Sequence, residues 1–118
     1  MRVKAWCVAI DCTDLDEMIG FWGALLGMKV TSRDDTWVDM ERLGADGPLL
    51  SFQLVPETKR VKNRLHLDLA VPDIHAAGER ARELGAVPQE EPVKDPDRSF
   101  RVWLDPQGNE FCFVTDRS

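Results

Sequence analysis

The chain repeats itself, and this repeat constrains the fold more than any other feature. When the sequence is compared with itself at a shift of 59 residues, Asp14 falls on Asp73 and the apolar segment 52–55 falls on 111–114. Self-similarity at a fixed spacing is typical of a structural unit that occurs more than once in a chain. The sequence therefore predicts two copies of one small unit.

The two copies cover almost all of the chain. Module one spans residues 3–55 and module two spans residues 65–115, with the charged segment 56–64 between them. That segment has no apolar periodicity and has the composition of a linker. We expect one domain over residues 1–118, because the chain is too short for two independent domains.

Both modules carry the same order of elements. Asp14 and Asp73 are predicted helix N-caps, and Gly27 and Gly85 end the helices that follow. Strands are predicted at residues 3–10, 28–32, 37–42 and 49–55 in module one, and at 65–71, 86–90, 100–105 and 110–115 in module two. This is a βαβββ pattern that occurs twice. It predicts an α+β protein with an eight-strand curved mixed sheet, helices on its convex side, and a concave face that can hold a ligand.

The composition excludes several classes of function. Lys and Arg total 15 against 21 for Asp and Glu, and a net charge of −6 does not suit nucleic acid. No apolar run approaches the roughly 20 residues of a membrane-spanning helix, and the first residues lack a secretory signal. We therefore expect a cytoplasmic protein whose three cysteines are free thiols.

Strand alternation selects four candidate site residues. Side chains that alternate with the apolar, helix-facing positions point to the concave face, and these include Cys7, Gln53, His66 and Cys112. At a shift of 59, Cys7 falls on His66 and Gln53 falls on Cys112. Alternation and repeat thus predict that the four side chains form the floor of one ligand site.

Several short motifs, in this order and spacing, resemble the vicinal oxygen chelate superfamily. This superfamily includes glyoxalase I, bleomycin-resistance proteins, fosfomycin-resistance enzymes and extradiol dioxygenases, and the chain is most similar to its bacterial glyoxalase-like group. The motifs are Asp14-Leu15, Phe21-Trp22, Leu26-Gly27-Met28, His66-Leu67-Asp68-Leu69, Val71-Pro72-Asp73, Glu83-Leu84-Gly85-Ala86 and Asp105-Pro106-Gln107-Gly108-Asn109-Glu110-Phe111. The resemblance implies the fold described above and a homodimer.

The resemblance also implies where a metal would bind. Metal-dependent members place their ligands at the four positions given above, but only His66 is a usual ligand here, and neither carboxylate position holds a carboxylate. Glyoxalase I activity and extradiol ring cleavage are therefore disfavoured, because no base is evident. No catalytic residue is assigned from the sequence.

Three functions remain open at this point. The leading one is binding of a small organic molecule without a catalytic metal, in the manner of the bleomycin-resistance proteins. The alternative is a lyase or isomerase of glyoxalase type with zinc or nickel on Cys7, Gln53, His66 and Cys112. The third is an interaction module without a ligand.

Further residues are predicted to form the walls of the site. Asp68 shares a face with His66, and Trp37 and Trp103 lie on the third strand of each module. Indole rings beside acidic groups favour an aromatic or cationic ligand. For both tryptophans core packing is the competing interpretation, whereas Trp6 and Trp22 are predicted to pack against the helices.

Overall fold

The computed structural model describes residues 1–94 and 99–115 and divides into two compact units, Met1–Thr58 and Lys59–Ser118. The division falls inside the predicted linker. Each unit contains one helix and its own mixed sheet, so the predicted α+β class and tandem modules are confirmed. None of the described helices is long and apolar enough to cross a membrane.

The first unit has a four-stranded sheet. Its strand order is β1-β4-β3-β2, with β1 parallel to β4 and the other neighbours antiparallel. The elements are β1 (Cys7–Cys12), α1 (Leu15–Leu26), β2 (Ser32–Arg33), β3 (Trp37–Arg42) and β4 (Leu49–Leu54). The parallel pair follows from the crossover through α1.

The second unit repeats this topology. Its strand order is β5-β9-β8-β6, with β5 parallel to β9, and a short additional strand, β7, also pairs with β8. The elements are β5 (Leu67–Val71), α2 (Ile74–Glu83), β6 (Val87–Pro88), β7 (Val93–Lys94), β8 (Ser99–Leu104) and β9 (Glu110–Thr115). β7 is not among the eight predicted strands.

Both helices begin at the predicted caps. The Asp14 carboxylate accepts a hydrogen bond from the Glu17 backbone N–H at 3.1 Å, and Asp73 does the same for His75 at 2.8 Å. Gly27 ends α1 with a φ of 66°, a left-handed conformation that costs glycine little. Capping by the side chain satisfies backbone donors that would otherwise lack a partner inside the helix.

Each helix packs on one face of its own sheet. The buried apolar side chains of the first unit are Cys12, Leu15, Met18, Phe21, Trp22, Val38, Met40, Leu50 and Phe52. Those of the second unit are Ile74, Ala81, Ala86, Trp103, Phe111, Cys112 and Phe113. Because side chains alternate along a strand, the residues between the helix-facing ones lie on the opposite face, and the site residues are found there.

The interpretation of Trp6 as a packed side chain is wrong. Trp6 precedes β1 and is 62% exposed, with the Arg42 guanidinium 5.0 Å from its ring centroid. Strand alternation does not apply to it, because the strand begins one residue later. Trp22, by contrast, is buried under the sheet as predicted.

Candidate functional site

Three side chains come together on the second unit. Cys112 lies directly opposite Asp68 in the parallel pair of β9 and β5, and His66 immediately precedes β5. The His66 Nε2 atom is 3.2 Å from Asp68 Oδ1. One ligand-type atom from each residue lies within 4.8 Å of the other two. Two of the predicted floor residues, His66 and Cys112, are therefore neighbours, with Asp68 between them.

Burial and Asp68 together make Cys112 harder to ionise. Burial raises the pKa of the Cys112 thiol, and the charge of Asp68 and a hydrogen bond to it raise that pKa further, to about 11. The Lys62 ammonium acts in the opposite direction but does not offset these effects. At neutral pH the side chain is a thiol that donates to Asp68, so it is a poor nucleophile.

The atoms of these three residues are close enough to hold one metal ion. A metal would have to displace the proton of the Cys112 thiol, which burial and Asp68 favour. The carboxylate is already shared between the imidazole and the thiol. The arrangement is a hydrogen-bonded network with His66 and Asp68 half exposed, at 46% and 55% of their side chains.

The carboxylate of Glu110, on β9, is hydrogen-bonded to the linker. Its Oε1 accepts a hydrogen bond from Lys59 Nζ at 2.5 Å, and its Oε2 accepts one from the Asn63 backbone N–H at 2.7 Å. Burial alone would raise the pKa of Glu110, but these donors and the Lys59 charge together lower it below the usual value. Asn63 Nδ2 also donates to Asn109 Oδ1 at 3.3 Å. The linker segment 59–63 is thus fastened to the start of β9.

The two candidate residues of the first unit do not lie opposite each other. Cys7 pairs with Leu49 at one end of the β1–β4 ladder, and Gln53 pairs with Asp11 near the other end. Both stand on the face opposite α1, as alternation predicts, with Cys7 half-buried and Gln53 exposed. A single floor made of Cys7, Gln53, His66 and Cys112 stays a prediction.

The predicted equivalence of Gln53 and Cys112 is wrong. Cys112 pairs with Asp68, and the residue that matches Asp68 in the first unit is Ala9, which pairs with Ser51. Ser51, which is fully buried, therefore occupies the position of Cys112. The shift of 59 holds at the helix caps but not in the last strand of each module.

The first unit contains a second polar network that the sequence analysis missed. Asp39 Oδ1 accepts a hydrogen bond from Trp37 Nε1 at 2.7 Å and another from Ser51 Oγ at 2.6 Å. Asp39 pairs with Ser51 across β3 and β4, so the three side chains share the face opposite α1. Strand alternation over residues 37–42 would have predicted this network, because it places the Trp37 and Asp39 side chains on the same face of the sheet.

Trp103 does not line a ligand site. It is 1% exposed and packs beneath α2, where the Gly78 Cα leaves room for the indole ring. Its ring makes an edge contact with Phe113 at a centroid distance of 6.3 Å, and the Arg82 and Arg101 guanidinium carbons lie 5.5 Å and 5.2 Å from its centroid. The prediction that Trp103 forms a wall is wrong, because its position in β8 faces the helix.

Comparison with known families agrees with these observations. A family model described as "Glyoxalase-like domain" matches residues 7–114. The chain belongs to the glyoxalase-like domain family. A search of curated proteins found no match to this glyoxalase-like protein.

Solved structures of similar proteins share the fold. A glyoxalase/bleomycin resistance protein/dioxygenase family enzyme from Burkholderia phytofirmans PsJN has a TM-score of 0.79 and 18% identity, covering 96% of this chain and 98% of that one. A glyoxalase-related enzyme from Fulvimarina pelagi has a TM-score of 0.76 and 17% identity, covering 96% and 88%. The fosfomycin resistance protein FosX from Mesorhizobium loti has a TM-score of 0.76 and 13% identity, covering 98% and 94%. At these identities the likeness establishes the fold alone.

Proposed function

We propose that this glyoxalase-like protein binds a small organic molecule without the help of a catalytic metal. The observation that carries the proposal is the position of Asp68, which is shared between the His66 imidazole and the Cys112 thiol. A carboxylate in this role stabilises a neutral thiol and orients an imidazole, and both groups can then hydrogen-bond to a ligand.

On the second unit we propose His66, Asp68 and Cys112 as ligand contacts, which offer an imidazole, a carboxylate and a thiol. On the first unit the candidate contacts are Cys7, Gln53 and Trp37, which offer a thiol, an amide and an indole. Each set suits recognition of a small molecule by a few polar contacts. Trp103 is left out because it is buried under α2.

A lyase or isomerase reaction would need a base, and two carboxylates in the described part of the second unit, Glu110 and Asp68, are already engaged. Glu110 is 10% exposed in its side chain and is hydrogen-bonded to Lys59 and Asn63. Asp68 is engaged with His66 and Cys112. Proton abstraction next to a carbonyl requires a base within hydrogen-bond reach of the substrate, and both carboxylates are already occupied. This favours binding over catalysis.

Elemental analysis tests the absence of a resident metal. Protein purified without chelators is analysed by mass spectrometry of its metal content, beside His66→Ala and the control His75→Ala, which changes an exposed histidine of α2. We expect less than stoichiometric metal in all three proteins. Stoichiometric zinc or nickel that is lost only in His66→Ala would overturn the metal-free proposal and support the metal-dependent alternative.

A ligand screen tests binding itself. Thermal shift against several hundred small organic molecules, followed by calorimetry of the positives, should find ligands whose affinity falls at least tenfold in His66→Ala and stays unchanged in His75→Ala. The third function, an interaction module, is supported instead if no compound binds. A homodimer and a cytoplasmic location remain predictions, and sedimentation measures the first of them.

A further inference from the structure

The face of the first unit opposite α1 carries a prearranged carboxylate. Asp39 is half-buried, and its Oδ1 accepts both the Trp37 Nε1–H and the Ser51 hydroxyl at distances under 3 Å. Two short hydrogen bonds to one oxygen fix the orientation of the carboxylate. Within the described part of the chain, no donor contacts the second oxygen, Oδ2. That oxygen is available to a ligand.

Small side chains surround this carboxylate. Paired residues of neighbouring strands form a row across the sheet. In the row that contains Asp39, Ser51 and then Ala9 follow on one side, and Ser32 lies on the other. Asp39 is thus flanked in this row by alanine and serine side chains only. In the next row Trp37 pairs with Gln53, which places an indole ring beside the carboxylate.

Arg42, a cation on this face, is engaged in other contacts. Arg42 pairs with Leu49 in the adjoining row, but its Nη1 donates to the Gly47 carbonyl at 3.0 Å and its guanidinium stacks on Trp6. Asp11, which pairs with Gln53, adds a second negative charge to the face. A half-buried carboxylate without a cationic partner creates a field that attracts a positively charged group.

We propose that this face binds a protonated amine carried on a planar organic framework, with Asp39 as the counter-ion and the Trp37 indole against the framework. The inference rests on the proposed function and names the class of its ligand. A charge-assisted hydrogen bond from an ammonium to Oδ2 and contact with an indole ring are mutually compatible, because both groups lie on the same side of β3. Ser51 is a positioning residue in this site, since it acts through Asp39.

Three indole compounds test this assignment with the unmodified protein. Tryptamine carries an ammonium, tryptophol replaces it by a hydroxyl, and indole-3-acetate carries a carboxylate. Calorimetry at neutral pH should show tryptamine binding at least tenfold more tightly than tryptophol, and indole-3-acetate more weakly than either. The Trp37 indole N–H resonance, assigned by its loss in Trp37→Phe, should shift with tryptamine. Raising the salt concentration should lower the affinity for tryptamine and leave the affinity for tryptophol unchanged.

A pair of variants locates the charge. Asp39→Asn should remove the preference for tryptamine over tryptophol, and Asp35→Asn, which neutralises an exposed carboxylate in the turn before β3, should retain it. Equal affinity for tryptamine and tryptophol in the unmodified protein, or no binding of tryptamine, would overturn the inference. Neither result contradicts the proposed function, which is tested separately by the broad screen and by the metal analysis.

Discussion

Cys112 of β9 lies directly opposite Asp68 of β5, and its thiol donates a hydrogen bond to the Asp68 carboxylate. This pairing decides the chemistry of the second unit. In the superfamily that the sequence resembles, the position of Cys112 carries a metal ligand, whereas here it carries a buried thiol with a pKa raised to about 11. The same carboxylate orients His66 at 3.2 Å. The three residues therefore form one polar cluster around Asp68.

Neutralising Asp68 should make Cys112 easier to ionise. In Asp68→Asn the pKa of the thiol should fall below 11 but stay above 9, because the charge is removed while the burial remains. The rate of alkylation of Cys112 by iodoacetamide, followed by peptide mass spectrometry as a function of pH, reports this midpoint. Asp46→Asn, an exposed carboxylate of the first unit, is the control and should leave the midpoint unchanged. An unchanged midpoint in Asp68→Asn would show that Asp68 does not control the thiol.

Glu110→Gln should destabilise the protein at neutral pH and less so in acid. The pKa of Glu110 is lowered in the folded state, so this group stabilises the fold fully above the unfolded value of 4.5 and loses its effect as pH falls through the lower folded value. Glutamine keeps one acceptor oxygen but loses the charge and the second acceptor, which costs about 1.5–3 kcal/mol of unfolding free energy at pH 7. Urea unfolding at pH 7 and at pH 3 measures the difference.

The control for Glu110 is Glu79, whose carboxylate is 75% exposed and 4.0 Å from Arg82. Glu79→Gln should change the unfolding free energy by less than about 0.5 kcal/mol at pH 7, because exposed ion pairs contribute little. A loss of stability for Glu110→Gln that is the same at both pH values would contradict the role of its charge.

The helices and the core were predictable because their signals are local. Asp14 and Asp73 are cap residues followed by apolar side chains at helical spacing, and the structure begins both helices there. Alternation in 110–115 also placed Phe111 and Phe113 on the helix side. These signals need only a few consecutive residues, so they can be read without knowledge of the rest of the fold.

The errors concern register between strands, which local patterns do not determine. Trp37 and Trp103 both lie in the second long strand of a module, but Trp37 pairs with the exposed Gln53 and Trp103 pairs with the buried Phe111. They therefore face opposite sides of their sheets. From the helix cap to this position module two is two residues longer than module one, 73 to 112 against 14 to 51, which displaces the repeat and gives Cys112 the counterpart Ser51.

Ser51→Ala should destabilise the protein more than the removal of one small hydroxyl group suggests. The Ser51 side chain is fully buried, and its hydroxyl donates to Asp39 at 2.6 Å, so the substitution removes one of the two donors that hold the carboxylate. The expected loss of unfolding free energy is about 1–2 kcal/mol, measured by urea titration. Ser32→Ala, at an exposed position in the same row, should stay within about 0.5 kcal/mol of the parent. Equal effects in the two variants would contradict the role of the hydrogen bond.

Gly78→Ala should destabilise the protein although alanine is the better helix former. A Cβ atom at Gly78 would lie 2.7 Å from Trp103 Cζ2, and the indole has no flexible end that can move away, because it is enclosed by α2 and Phe113. Overpacking of this kind costs about 1–3 kcal/mol, which outweighs the gain in helix propensity. Gly20 of α1 is the matched control, since a Cβ there meets no atom within 4 Å, and Gly20→Ala should stabilise the protein by about 0.5–1 kcal/mol. Thermal and urea unfolding of the two variants should therefore shift in opposite directions. A stabilising effect of Gly78→Ala would show that Trp103 is not packed against α2 and would reopen its assignment to the ligand site.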